Sequence, residues 1–127
     1  MQSKLPAILV ACLVFCISSR GAMAGCALQN IVVTQAGTGG WAHGQPVYAV
    51  TVKNTCVCPQ SGIELACDGF STTLEPDMAK FQYRGDGKLC LLNNGEPLAQ
   101  GQEVSFSYAW SSQFPLQPAQ STMGCSR

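Results

Sequence analysis

Residues 103–110 read Glu-Val-Ser-Phe-Ser-Tyr-Ala-Trp, and their order decides the fold class. Val104, Phe106, Tyr108 and Trp110 fall on one side of an extended chain, while Ser105, Ser107 and Ala109 fall on the other. Period two is the repeat of a β-strand, because successive Cβ atoms leave opposite faces of the pleat. An apolar side backed by a small polar one describes a strand with one face buried and the other near water.

Working outward, the same signal recurs in short runs. Val47–Asn54 (VYAVTVKN) places Tyr48, Val50 and Val52 on one face, and Ile63–Cys67 (IELAC) does so with Ile63, Leu65 and Cys67. Leu28–Gln35 (LQNIVVTQ) is rich in β-branched residues, and Lys80–Tyr83 and Lys88–Leu92 are shorter candidates. Turn-forming residues separate the runs: Gly37-Thr38-Gly39-Gly40, Gly44-Gln45-Pro46, Pro59 to Gly62, Asp68-Gly69, Glu75-Pro76-Asp77, Gly85-Asp86-Gly87, Asn93-Asn94-Gly95 and Gln100-Gly101-Gln102. No long stretch has helical periodicity, and residues 76–81 can form at most one helical turn. The tail after Phe114 is polar and reads as loose chain tied back by Cys125. The expectation is an all-β fold, a small disulfide-stabilised β-sandwich or barrel-like domain.

The first 24 residues read differently. Lys4 is a positive start, Leu5 to Ile17 is an apolar run of 13 residues broken only by Pro6, and Ala22-Met23-Ala24 is a small-residue cleavage site. Thirteen residues fall short of the roughly 20 that span a bilayer. Residues 1–24 are therefore expected to be a signal peptide, and residues 25–127 a single secreted domain with no membrane insertion. The precursor has 127 residues, eight cysteines and balanced charge; the mature chain would keep 103 residues, six cysteines and a net charge of −2. That length excludes a two-domain cofactor enzyme or a nucleotide-sugar glycosyltransferase. The charge gives no basic stripe for nucleic acid and no attraction to an anionic membrane surface.

Cys26, Cys56, Cys58, Cys67, Cys90 and Cys125 form an even set behind a secretion signal, which reads as three disulfides. Six cysteines allow 15 pairings, and spacing does not choose among them. The rival is a thiolate metal site on Cys56, Cys58 and Cys67, but C-x-C is not the paired C-x-x-C spacing of common zinc sites. No metal and no cofactor are expected.

The search for catalytic chemistry finds no constellation. His43 stands alone in a glycine-rich stretch, and no nucleophile elbow, phosphate loop, dinucleotide fingerprint or zinc-protease motif occurs. Glu64, Asp68, Glu75, Asp77, Asp86, Glu96 and Glu103 are scattered carboxylates, with none marked as partners for glycoside hydrolysis. The protein is expected not to be an enzyme. Arg84-Gly85-Asp86 spells an adhesion tripeptide, a weak signal that a Gly-Asp-Gly turn explains as well. Aromatics remain as functional currency. Phe106, Tyr108 and Trp110 read as core, whereas Trp41 lies among glycines with no core pattern and reads as exposed.

The chain resembles the tapetum-determinant family of small secreted plant proteins. The resemblance runs through Cys26 with residues 29–35 (QNIVVTQ), residues 44–48 (GQPVY) leading to residues 52–56 (VKNTC), and Cys67 with residues 69–71 (GFS). It continues through residues 90–98 (CLLNNGEPL) and residues 105–110 (SFSYAW), with Cys125 last. It implies an extracellular, apoplastic polypeptide ligand for a leucine-rich-repeat receptor kinase ectodomain, acting in cell-fate specification in anther or reproductive tissue. The better-known members carry a longer basic stretch before the first cysteine, whereas Cys26 here is the second residue after the expected cut. The Cys56–Cys58 spacing is also contracted, so the chain looks like a shorter homologue.

Candidate receptor contacts are the loop groups at these motifs: Phe70, Ser71, Asn93, Asn94, Gly95, Pro97 and Trp110. Asn93-Asn94-Gly95 also reads as a hairpin turn and Phe70 as core. The alternative function is an extracellular cell-wall glycan-binding module, with Trp41 as the stacking residue. Amino-terminal sequencing of the secreted protein should begin at Gly25; a mature chain still beginning at Met1 contradicts the secretory reading.

Overall fold

A computed structural model describes residues 25–83 and 87–125. The expected signal peptide, residues 1–24, and the Arg84-Gly85-Asp86 tripeptide lie outside the described residues. Seven strands follow in chain order: β1 (Ile31–Ala42), β2 (Gln45–Asn54), β3 (Gln60–Ala66), β4 (Phe81–Tyr83), β5 (Leu89–Leu92), β6 (Glu103–Ala109) and β7 (Gln117–Met123). They form two antiparallel sheets, one ordered β1-β2-β6 and the other β4-β5-β3-β7. The sandwich branch of the expectation is the one realised; neither sheet closes into a barrel.

The alternating strand behaves as its sequence requires from Val104 to Tyr108, whereas Ala109, expected on the open face, is fully buried, and Trp110, expected in the core, lies past the strand and is half-buried. Val104, Phe106 and Tyr108 are buried, and Ser105 is exposed. Directly opposite on β2, Val52, Val50 and Tyr48 pair with them in register. From the facing sheet come Ile63, Leu65, Phe81, Cys90 and Leu92, all fully buried. The Phe81 ring stacks on Phe106 at a centroid distance of 4.0 Å and an interplanar angle of 10°, joining the two layers.

Leu28–Asn30 form a 3-10 turn instead of opening a strand, and residues 60–62, expected as turn, open β3; two larger stretches also depart from expectation. The glycine-rich segment Gly37 to Gly40 is not a turn but a bulge inside one long strand, where the register with β2 shifts between Gly37 and Trp41. Gly39, at φ 83°, takes a conformation that favours glycine, so the two extra residues of β1 are absorbed and pairing resumes. The true reversal comes at His43-Gly44, with φ of 50° and 81°, as a two-residue hairpin turn needs. His43 is exposed and shapes this turn.

The tail is the second departure. Residues 117–123 are strand β7, paired along β3 from Gln60↔Met123 to Ala66↔Gln117. The strand is polar and carries Pro118, which an edge position tolerates because one side of its ladder is open. No apolar alternation announces it; tertiary pairing makes it. Residues 77–81 form one helical turn, as expected, with the Asp77 carbonyl accepting from the amides of Lys80 and Phe81.

The three bridges are Cys26–Cys56, Cys58–Cys125 and Cys67–Cys90, with Cα separations of 5.8, 5.1 and 6.1 Å. The first anchors the amino-terminal segment to the end of β2, and the second anchors the chain's far end, as expected of Cys125. The third joins the ends of β3 and β5. Each restricts the unfolded chain by about 3–4 kcal/mol in the loop-entropy account.

Beside the first two bridges lies a fully buried polar pair, Asn54 and Gln60. Asn54 Nδ2 donates to the carbonyls of Cys58 at 3.0 Å and Leu98 at 2.8 Å. Its Oδ1 accepts from the Cys56 amide at 3.0 Å and from Gln60 Nε2 at 3.1 Å. Four bonds saturate the amide. Asn54→Asp keeps the shape and both acceptors but turns a carboxylate oxygen toward two buried carbonyls. Urea unfolding should show a loss of about 3 kcal/mol or more; a change below about 0.5 kcal/mol, typical of surface substitutions, contradicts this reading.

Candidate functional site

The candidate residues separate onto opposite ends of the sandwich. Phe70 and Ser71 follow β3 at the end where Cys67 meets Cys90, and Trp110 follows β6 on the same side. Thr72 and Thr73 bind this loop to the ends of the first sheet. Thr72 Oγ1 accepts from the Ala109 amide at 2.9 Å, and Thr73 Oγ1 donates to the Ala42 carbonyl at 2.9 Å. Asn93, Asn94, Gly95 and Pro97 lie at the other end, beside the start of β3, where Gln60 and Leu98 exchange backbone hydrogen bonds. One small surface cannot contain both groups.

Phe70 is half-buried, at the centre of an aromatic cluster. Its ring lies 5.1 Å from Phe81, 5.3 Å from Tyr83, 5.2 Å from Tyr108 and 5.0 Å from Phe114. Such tilted pairs each add about 0.5–1.5 kcal/mol beyond simple burial. Ser71 is half-buried beside it, and Trp110 is half-buried and stacked on Phe114 at 6.4 Å. Phe114 is held by a polar clamp: the Tyr108 hydroxyl accepts from its amide at 2.9 Å, and Gln35 Nε2 donates to its carbonyl at 2.7 Å. The Tyr108 hydroxyl in turn donates to Gln35 Oε1 at 2.6 Å.

Trp41 is 71% exposed. In the strand register it stands opposite Pro46, and the Trp110 amide donates to the Pro46 carbonyl at 3.2 Å. Trp41, Pro46 and Trp110 thus occupy one row across three strands. The strands of this row add no charge, since no Asp, Glu, Lys or Arg occurs from Ala27 to Val52 or from Val104 to Ser126; the charged groups at this end, Asp68, Glu75 and Lys88, come from the connections of the second sheet.

At the opposite end, Asn93, Asn94 and Gly95 all take positive φ, of 54°, 56° and 81°. The segment is a short 3-10 turn, not a hairpin turn, because β5 and β6 belong to different sheets and the chain must cross between them. Asn93 Nδ2 donates to the Glu96 carbonyl at 3.2 Å, and Gln82 Nε2 donates to Asn94 Oδ1 at 3.2 Å. Asn94 and Pro97 are exposed.

Several carboxylates hold structure. Glu75 accepts the Tyr83 hydroxyl on both oxygens, at 2.9 and 3.0 Å. Glu64 accepts from Gln120 Nε2, and Asp77 Oδ1 accepts from the Ala79 amide at 3.0 Å. Cys67 is bridged to Cys90, away from Cys56 and Cys58, so the three do not form a thiolate set. Sequence reasoning missed Gln35, Asn54 and Gln60, for polar residues inside strands carry no periodic signal of burial.

Burial pushes the Tyr108 hydroxyl above the ordinary tyrosine value, opposed by the Phe114 amide and reinforced by Tyr48. The Glu75 hydrogen bond does the same for Tyr83, with burial and the Glu75 charge adding to it. A raised folded-state value means that the protonated phenol is favoured by folding. That contribution is complete below about pH 10, the unfolded value, and is lost as pH rises through the folded one. In thiol-free buffer, Tyr108→Phe should lower stability at pH 8 by about 1–3 kcal/mol. It should also flatten the alkaline decline above about pH 10; a decline of unchanged steepness contradicts the assignment.

Comparisons with known proteins place this architecture. Residues 27–126 match the family described as Tapetum determinant 1, C-terminal. The chain is 38% identical over 96 residues to TPD1 protein homolog 1 of Arabidopsis thaliana, covering 74% of this chain and 53% of that protein. It is 34% identical over 110 residues to TPD1 protein homolog 1A of Oryza sativa subsp. japonica, covering 80% of this chain and 47% of that protein. The chain thus spans about half the length of these relatives. No solved structure matches it.

Proposed function

Because the chain belongs to the Tapetum determinant 1 family, we propose that it is a secreted polypeptide ligand in plant developmental signalling, acting by binding and not by turnover. The family match through residues 27–126 carries the reading. Residues 1–24 are removed as a signal peptide, and residues 25–127 act in the apoplast. The partner is a leucine-rich-repeat receptor kinase ectodomain, and the process is cell-fate specification in anther or reproductive tissue. Three bridges and a saturated polar core support the reading, since a rigid ligand loses less conformational entropy on binding.

The contact residues divide as the fold divides them. Asn93, Asn94, Gly95 and Pro97 offer one docking end; Phe70, Ser71 and Trp110 offer the other. Titration of the oxidised protein onto a panel of receptor-kinase ectodomains should find micromolar or tighter binding. Loss on Asn94→Ala with Pro97→Ala assigns the first end, and loss on Trp110→Ala assigns the second. Absence of binding across the panel contradicts the ligand reading.

A second reading rests on the 71% exposure of Trp41. An exposed indole on a hairpin that carries no charged residue suits stacking on a neutral sugar face, as in a cell-wall glycan-binding module. Glycan-array binding abolished by Trp41→Ala supports this alternative; ectodomain binding retained by the same variant, with no glycan bound, removes it.

A further inference from the structure

The two disulfides at the Asn54 end are neighbours. Cys26, Cys56 and Cys58 hold their Sγ atoms within 4.8 Å of one another, although Cys26 and Cys56 form one bridge and Cys58 belongs to another. Their exposure differs. Cys56 and Cys58 are buried, Cys26 is half-buried, and Cys125 is exposed. We propose that this cluster is a thiol-reactive site, at which a low-molecular-weight thiol opens Cys58–Cys125 and the freed Cys58 then exchanges into Cys26–Cys56.

The first step follows from access. Disulfides break by thiolate attack at a sulfur through a mixed disulfide. Among the four cysteines, Cys125 is the exposed residue. Attack there by an external thiolate forms the mixed disulfide at Cys125 and expels Cys58 as a thiolate. That thiolate sits among buried groups, where charge is disfavoured, so it is driven to react or to reclose.

Its second target is at hand. Attack by Cys58 on Cys56 Sγ forms Cys56–Cys58 and expels Cys26, whose half-exposed position solvates the leaving thiolate better than the reverse attack would. The atoms and electrons balance: one external thiolate is consumed, one mixed disulfide forms at Cys125, and one thiolate, Cys26, is released. Attack by a second thiol molecule on the mixed disulfide frees Cys125 and yields the oxidised thiol dimer.

The structural consequence is specific. Cys26 and Cys125 anchor the two ends of the described chain, so one thiol encounter would untie both. β7 is the strand most exposed to this. It is an edge strand with an irregular register, and beyond it the Gly124 amide donates to the Pro59 carbonyl at 2.6 Å. The remaining bridge, Cys67–Cys90, lies at the other end and serves as an internal control.

The test exposes the disulfide-bonded protein to reduced glutathione without denaturant, quenches it in acid with a thiol alkylating agent, and maps the peptides. The expected first product carries glutathione on Cys125, alkylation on Cys26, a Cys56–Cys58 bridge and an intact Cys67–Cys90. Cys125→Ser removes the need for the first step and should show alkylation of Cys26 exceeding that of Cys58 by about tenfold. Alkylated Cys58 with intact Cys26–Cys56 as the predominant product, in either protein, overturns the proposal. Opening of Cys67–Cys90 before Cys58–Cys125 also overturns it. If the serine variant does not fold, the unsubstituted protein alone decides between these patterns.

Discussion

Asn54 is the residue that the lower half of the sandwich is built around. It ends β2, yet its amide reaches four groups that come from other parts of the chain. Its backbone also takes part, accepting from the Gly101 amide at 2.7 Å and donating to the Gln102 carbonyl at 3.1 Å. The turn before β6, the loop before β3 and the Leu98 crossover are therefore fixed by one side chain and its peptide. Gln60 extends the arrangement to β7, where its Oε1 accepts from the Ser121 hydroxyl. A buried network of this kind stabilises only when every member is satisfied, and no described buried side-chain polar atom lacks a partner. The constraint also explains the two adjacent bridges: the loop that Asn54 organises carries Cys56 and Cys58 within hydrogen-bonding reach of its amide.

The legible parts of the fold are those where burial alternates. β6 and β2 declared themselves because each has one face in the core; their pairing is seen only in the structure. β1 was legible only to Gln35, because beyond it the glycines Gly37, Gly39 and Gly40 look like a turn when a bulge can absorb them equally well. β7 was illegible: Gln117 to Met123 has neither alternation nor β-branched density, and its pairing with β3 is a property of the assembled sheet. The disulfide pairing was equally closed to sequence, since 15 arrangements satisfy six cysteines. At the site, the exposure of Trp41 could be read from its glycine neighbours. The centrality of Phe70 could not, because a single aromatic between a turn and a polar loop has no period to betray its packing.

Charge is unevenly distributed over the two layers, and this bears on recognition. In the first sheet Lys53 and Glu103 are the charged residues, and the register sets them opposite each other. The remaining charges between Ala27 and Ser126 fall between Glu64 and Glu96, on the second sheet and its connections. A partner meeting the first sheet or the β1–β2 hairpin would find small hydroxyls, an exposed indole and no field to steer it. One meeting the 93–97 turn would find Glu96 and the second sheet's mixed charges.

The claim that Asn54 ties the sandwich together is tested most directly by native-state hydrogen exchange at the Cys56 amide. Its acceptor is Asn54 Oδ1 and it lies outside the strands. Protection there as strong as that of Val50 and Val52 in the core of β2 is the predicted result, because opening Asn54 would then require global unfolding. Exchange at the rate of an exposed loop amide would show that the network opens locally and does not hold the fold.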